Sequence, residues 1–348
     1  MLIDEFSSFE NKYLFEKKYD DFSYWVYSRY AIFSYLTKLQ EGIEMSSQKM
    51  TDGLICGIKN MIINSLRYRH KIKKIGHRDL LILNHERRVL KDGYYRCIYT
   101  EQIEEHYPNS VVLERPYFYK HLKPIQTERI FYSDCVELES LIYGFLECKL
   151  KAKKYRKAKK FFEKEMSIVA PEFQHMVKQE VSVEALSEML TRLYLLYCVK
   201  RKKFEKIIQK IQPKVILEVV SYNLDCMIFN EIAYEKKINT IELQHGVMSG
   251  SIAYYYPKNV LIKQFPQKVF LFSDYWKNCI SVPLEDKNVI SVGYPYFEEQ
   301  VKKYQKINRD KNETTKVILF LSQWTIGENF SKFAVEFSNL INEVEDNL

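Results

Sequence analysis

The amino-acid sequence predicts an α/β fold with a doubly wound parallel sheet, and three observations carry that prediction. VILEVVS (215–221), TIELQHG (240–246), KVFLFSD (268–274) and NVISVGYP (288–295) are short, continuous apolar runs closed by polar residues. Unbroken apolarity, as opposed to strict alternation, marks strands buried on both faces, the usual state of parallel strands. A helical segment from about Leu224 to Lys236 separates the first two runs, which is the spacing of a βαβ unit.

The elements follow in order. Residues 1–75 are read as a helical, aromatic-rich region: Phe22, Val26, Tyr30, Phe33 and Leu36 recur at steps of three and four, and a second helix is expected near Ile55 to Tyr68. From residue 76 to about 306 a sheet domain is expected. Its first strands are DLLILNH (79–85), YRCIYTE (95–101), SVVLERP (110–116) and RIFYSD (129–134). A helical insertion spans about 136–210, and a charged helix from Tyr294 to about Lys306 closes the domain. INRDKNETT (307–315) reads as a linker. Residues 316–348 hold one more strand, KVILFLSQ, and one helix, roughly Phe330 to Val344. A single βα unit cannot bury both faces of its strand, so this segment is expected to open a second domain that the chain does not complete, or to add a strand to the first sheet.

Composition narrows the chemistry. With 348 residues, 46% hydrophobic and 28% charged, the chain has the balance of a globular protein. Gly and Pro are scarce, 10 and 9, while Tyr and Phe number 27 and 21. There is no G-x-G-x-x-G, no Walker-type glycine loop and no G-x-S-x-G, so the chemistries built on those loops lose their sequence support. The formal charge of +8 is concentrated: Lys149 to Lys160 holds eight basic residues and no acidic one, which leaves the remainder neutral. That pattern argues for one basic patch and against a nucleic-acid platform. Seven scattered cysteines without C-x-x-C argue against a disulfide framework or a zinc site and fit a reducing cytoplasm. The N-terminus has no basic region followed by an apolar one, so no signal peptide is read there.

In an open parallel sheet ligands bind beyond the carboxyl ends of the strands. The residues closing the predicted strands are therefore the candidates: Asn84, His85, Arg87, Arg88, Tyr99, Thr100, Glu114, Arg115, Ser133, Asp134, Ser221, Tyr222, Gln244, His245, Ser273, Asp274, Ser322 and Gln323. His245 stands out as a catalytic base. It follows an apolar strand directly, it precedes Gly246, whose backbone freedom would help shape the turn, and imidazole suits proton abstraction near neutral pH. Gln244 is placed to orient the ring or a substrate hydroxyl, or to serve the turn alone.

IELQHGVMSGSIAYYYP, VFLFSDYWKN, NVISVGYPYF and VILFLSQ, together with an aromatic entry containing Trp25 and Arg29, LILNHERRV, VVLERPY and IFYSD, resemble bacterial GT-B-type glycosyltransferases of surface polysaccharide assembly. The most specific elements are Gln244-His245-Gly246 and Gly293-x-Pro295. The resemblance covers about residues 10–325 and implies two facing Rossmann-like domains. The N-terminal one would present a carbohydrate or lipid-linked acceptor, and the C-terminal one would bind a nucleotide-sugar donor. It also implies His245 as general base, with no metal and no cofactor, which agrees with the lack of any Asp-x-Asp. Substrate contacts would come from Gln244, Gly246, His85, Arg87, Arg88, Glu114, Arg115, Asp134, Ser273, Gly293, Ser322 and Gln323. Because the second domain is incomplete, the chain alone is expected to bind nucleotide sugars weakly. A nucleotide-sugar epimerase, a polyol phosphate transferase or a non-catalytic docking protein are the alternatives. Lys153, Lys154, Arg156 and Lys157 are read as the contacts of a basic helix with the anionic inner face of the cell membrane.

Overall fold

A computed structural model describes residues 2–42, 51–85, 88–116, 120–257, 260–305 and 327–345. The chain divides into two compact units, Met1–Glu298 and Glu299–Leu348. In the described residues the first unit begins with helices α1 (Leu2–Phe9), α2 (Lys12–Glu16), α3 (Tyr24–Gln40) and α4 (Thr51–Lys73). Strand β1 (Leu80–Leu83) leads to a hairpin of β2 (Val89–Lys91) and β3 (Tyr94–Arg96), then α5 (Glu101–His106), β4 (Ser110–Glu114) and β5 (Ile130–Tyr132). Three long helices follow: α6 (Asp134–Lys149), α7 (Lys153–Val177) and α8 (Val183–Ile211). The remaining units are β6 (Val215–Glu218), α9 (Leu224–Lys236), β7 (Asn239–Leu243), β8 (Lys268–Leu271), β9 (Val289–Ser291) and α10 (Pro295–Gln305). In the second unit α11 (Gly327–Glu345) is described, while the expected linker and the strand 316–323, with Ser322 and Gln323, lie outside the described residues.

The main sheet has seven strands, all parallel, in the order β5-β4-β1-β6-β7-β8-β9. The α/β class and the parallel sheet are as the apolar runs predict. Side chains alternate between two cores, as the pleat requires. Leu81, Leu83, Val111, Leu113 and Ile216 face the large core shared with α3, α7, α8 and α9. Ile82, Val112, Leu217 and Leu243 face a smaller one containing Tyr68 of α4 and Ile103 of α5. The aromatic N-terminal helices belong to the large core: Trp25, Phe6 and Phe173 stack there.

Two expectations are corrected. YRCIYTE (95–101) is no strand of the main sheet: Tyr95 and Arg96 end a two-stranded antiparallel hairpin, and Thr100 leads into α5. Its β-forming Tyr, Cys and Ile mimic a strand, but Glu101 turns inward, where Oε2 accepts from the Cys97 N–H at 3.1 Å, and this starts the helix. The basic stretch is likewise not one helix. It spans the end of α6, a break at Leu150–Ala152 with Lys151 at φ 43°, and the start of α7. Lys153, Arg156 and Lys157 are exposed, whereas Lys154 turns inward, with Nζ 5.1 Å from the Tyr194 ring centroid.

Candidate functional site

The chain runs from β1 outward to β4 and β5, then crosses back over α6–α8 to β6 and outward the other way. The strand order therefore reverses between β1 and β6, and the crevice beyond their carboxyl ends is where such sheets bind ligands. His85 beyond β1, Tyr222 beyond β6 and His245 beyond β7 converge there. The His85 and His245 ring centroids are 6.1 Å apart, and those of Tyr222 and His245 are 6.0 Å apart. Tyr222 Oη lies 3.4 Å from His245 Nε2. Tyr99, ahead of α5, donates its hydroxyl to the His245 carbonyl at 2.7 Å, and its ring stacks on Tyr294, which stacks on Phe272. The result is a half-buried, aromatic-walled crevice that brings together two imidazoles, His85 and His245, and two phenols, Tyr99 and Tyr222.

The loop that carries His245 is held at both ends. Gln244 is buried, and its amide is engaged by the loop itself: Nε2 donates to the Gly246 carbonyl at 2.8 Å and Oε1 accepts from the Phe272 N–H at 2.8 Å. Gln244 thus acts on the turn, the second of its two predicted roles. Gly246 is not in the left-handed region, and a Cβ there would meet nothing within 4 Å, so the expected need for glycine's backbone freedom is corrected. Gly293 does adopt that region, at φ +84°, between β9 and α10. Further along the loop, Arg29 of α3 donates to the carbonyls of Ile252 and Tyr255, both at 2.6 Å. Its guanidinium is held by Glu10 through bonds of 2.7 and 2.5 Å, and Trp25 Nε1 donates to the same carboxylate at 2.8 Å. The N-terminal helices therefore fix the shape of the loop.

Beneath the crevice, Glu218 of β6 and Glu242 of β7 pair in register, and both are fully buried. Glu242 Oε1 accepts from the Ser221 N–H at 3.0 Å and the Tyr254 hydroxyl at 2.8 Å, which ties down the loop bearing Tyr222. Glu218 Oε1 accepts from Asn230 at 2.8 Å. Burial pushes the Glu242 carboxyl up to about 7. Burial, and then the neighbouring charge of Glu242, push Glu218 up to about 8.

Several predicted substrate contacts are spent inside the fold. Arg88 and Glu114 are buried against each other, Nη2 to Oε2 at 2.6 Å, and Arg88 also meets Glu101 at 3.3 Å. Glu114 accepts from Asn84 at 2.9 Å, and Asn84 in turn accepts from Thr100 at 2.5 Å. Asp134 opens α6 and bonds His121 Nε2 at 2.7 Å, while His121 Nδ1 lies 3.5 Å from Glu114. Burial alone would lower the His121 pKa, but the bond to Asp134 and the pull of Glu114 outweigh it and raise it. As substrate contacts, Arg88, Glu114 and Asp134 are corrected: a charge this deeply buried needs its partners. Arg115 does reach the switch point, where it lines a cavity of about 30 Å³ with Asn84, Ser133, Asn223 and Asp225. Ser273 is exposed at the end of β8, and Asp274 next to it bonds Ser291 at 2.6 Å and Lys277 at 2.7 Å. Arg87 lies outside the described residues.

Sequence reasoning missed Glu218, Glu242, His121 and Glu10. The first two had a signal, since a carboxylate inside a buried apolar run is rare without a reason. Among the described residues no group of three or more His, Cys, Asp or Glu is placed to hold a metal ion, and no helix is long and apolar enough to cross a membrane. Compared with known proteins, the chain matches no family model, no curated protein and no solved structure.

Proposed function

We propose that the protein takes part in metal-independent glycosyl transfer of the GT-B type, with the crevice of Met1–Glu298 on the acceptor side. The observation that carries this reading is His245, set beyond β7 next to the switch point with Nε2 3.4 Å from the Tyr222 hydroxyl. A sugar hydroxyl in the same crevice would meet Nε2 as a proton acceptor. In the transfer, the acceptor O–H gives its proton to Nε2 and its oxygen bonds the anomeric carbon. The anomeric carbon–oxygen bond to the diphosphate breaks, and the nucleotide leaves with the electron pair. Tyr99 and Phe272, the outer rings of the stack on Tyr294, would offer ring faces suited to a saccharide, and the donor is held outside this unit.

Product analysis tests the reading, with the protein, a panel of nucleotide sugars and lipid-linked saccharide acceptors. A sugar moved to an acceptor supports it. Interconversion of the nucleotide sugar without an acceptor, or no reaction with any donor, contradicts it.

A further inference from the structure

Helices α4 and α6 pack together on the outside of the first unit, and the outer face they share is apolar. Along α6, Ile142, Phe145 and Leu146 are exposed, Phe145 by 61%; along α4, Ile58, Ile62 and Leu66 are exposed, Leu66 by 74%. Helix α4 packs on α6, and on each helix the exposed apolar residues recur at helical spacing and so form a row. The buried face of α4, with Met61, Ser65 and Tyr68, is a separate stripe, so the exposed row is surplus to the core. Leu150, exposed by 71%, extends the patch to the break between α6 and α7. A contiguous apolar face of this kind on a folded chain marks an interaction surface.

The charges around it define the partner. Lys59 and Arg67 flank the row on α4, and Lys149, Lys151, Lys153 and Arg156 gather at the α6–α7 corner, all exposed. Lys149 Nζ sits 5.6 Å from the Phe145 ring centroid, so cation and apolar ring share one spot. The acidic groups of α6 are drawn away from this face. Asp134 bonds His121, Glu137 bonds Lys200 at 2.6 Å, Glu139 pairs with Lys203, and Glu147 accepts the Tyr155 N–H.

We propose that the α4–α6 face docks on an anionic lipid surface, its apolar row entering the head-group boundary and its basic rim meeting the lipid charge. Interfacial helices bind through this combination. A second copy is the competing occupant, but a two-fold contact sets each basic rim near its own copy and leaves the charge uncompensated. The surface includes two of the four basic residues expected to touch a membrane, Lys153 and Arg156, and adds an apolar row on α6.

Co-sedimentation of the whole chain tests this, with vesicles of equal phosphatidylcholine and phosphatidylglycerol and, separately, of phosphatidylcholine alone. The wild type should bind the mixed vesicles, less so in high salt, and bind the neutral ones clearly more weakly. Ile142→Gln with Phe145→Gln should weaken partition about a hundredfold, from the two apolar side chains no longer buried. Lys149→Gln, Lys153→Gln and Arg156→Gln together should do the same on mixed vesicles and little on neutral ones. Equal binding by wild type and both variants, or no binding by the wild type, would overturn the proposal. So would a dimer, seen in analytical ultracentrifugation, that the Ile142/Phe145 variant abolishes. A lowered Tm of that variant would do so too, by showing that the chain covers the face itself. Binding is read without turnover, so its failure leaves the glycosyl-transfer reading standing.

Discussion

Glu218 and Glu242 stand side by side in register on the two central strands β6 and β7, both fully buried. Their pKa values are raised to about 8 and about 7, so the folded state holds protons that the unfolded chain, with carboxyls near 4.3, gives up. Stability is therefore greatest below about pH 4.3 as far as this pair is concerned, and is lost as pH rises through 7 and 8. His121 works in the same direction: its raised pKa gives stability below about pH 6.5 that is lost as pH passes its folded value. Urea unfolding between pH 6 and pH 9 should show a decline on the order of 3 kcal/mol. Glu218→Gln with Glu242→Gln should flatten most of it. A decline of equal size in the double variant would show that the pair ionises freely in the folded protein.

Lys200 of α8 is a second buried junction. Its ammonium lies 2.6 Å from Glu137 of α6 and 2.6 Å from Asp225 of α9, joining the long helices to the edge of the switch point. Lys200→Met leaves two buried carboxylates facing each other, so we expect a loss of about 3 to 5 kcal/mol in chemical denaturation. Adding Glu137→Gln and Asp225→Asn should restore a large part. A loss under about 1 kcal/mol for the single variant would mean that water reaches the junction.

The Glu10–Arg29 pair shapes the His245 loop from a distance. In Arg29→Met, the Ile252 and Tyr255 carbonyls lose their donors and the Glu10 carboxylate loses its counter-charge. The expected result is a loss of about 3 kcal/mol or more, together with shifts of the His245 and Tyr222 NMR signals. Unchanged ring signals would show that the loop holds its form without the N-terminal helices.

Much of this architecture could be read from unbroken apolar runs, because a strand buried on both faces has only one way to look in sequence. VILEVV and TIELQ sit where they were expected, as does the helix Leu224–Lys236. What remained hidden were pairings across long separations. Nothing near His121 announces that Asp134 and Glu114 will close on it, and nothing near Glu10 points to Arg29 or Trp25. Arg88 and Glu114 look like ligand contacts in sequence because a strand's polar end reads the same whether it meets solvent, a substrate or another charge. Tyr99 and Tyr222 were in the sequence's candidate set, but only the sheet order shows that they, and not Arg88, face His245.

Turnover of the protein carrying His245→Ala shows whether His245 is the base of a transfer reaction. It should fall about 10²–10⁴-fold with Tm unchanged, the range for loss of a general base. Turnover within about twofold of the wild type would contradict it and leave His245 a structural residue of the crevice.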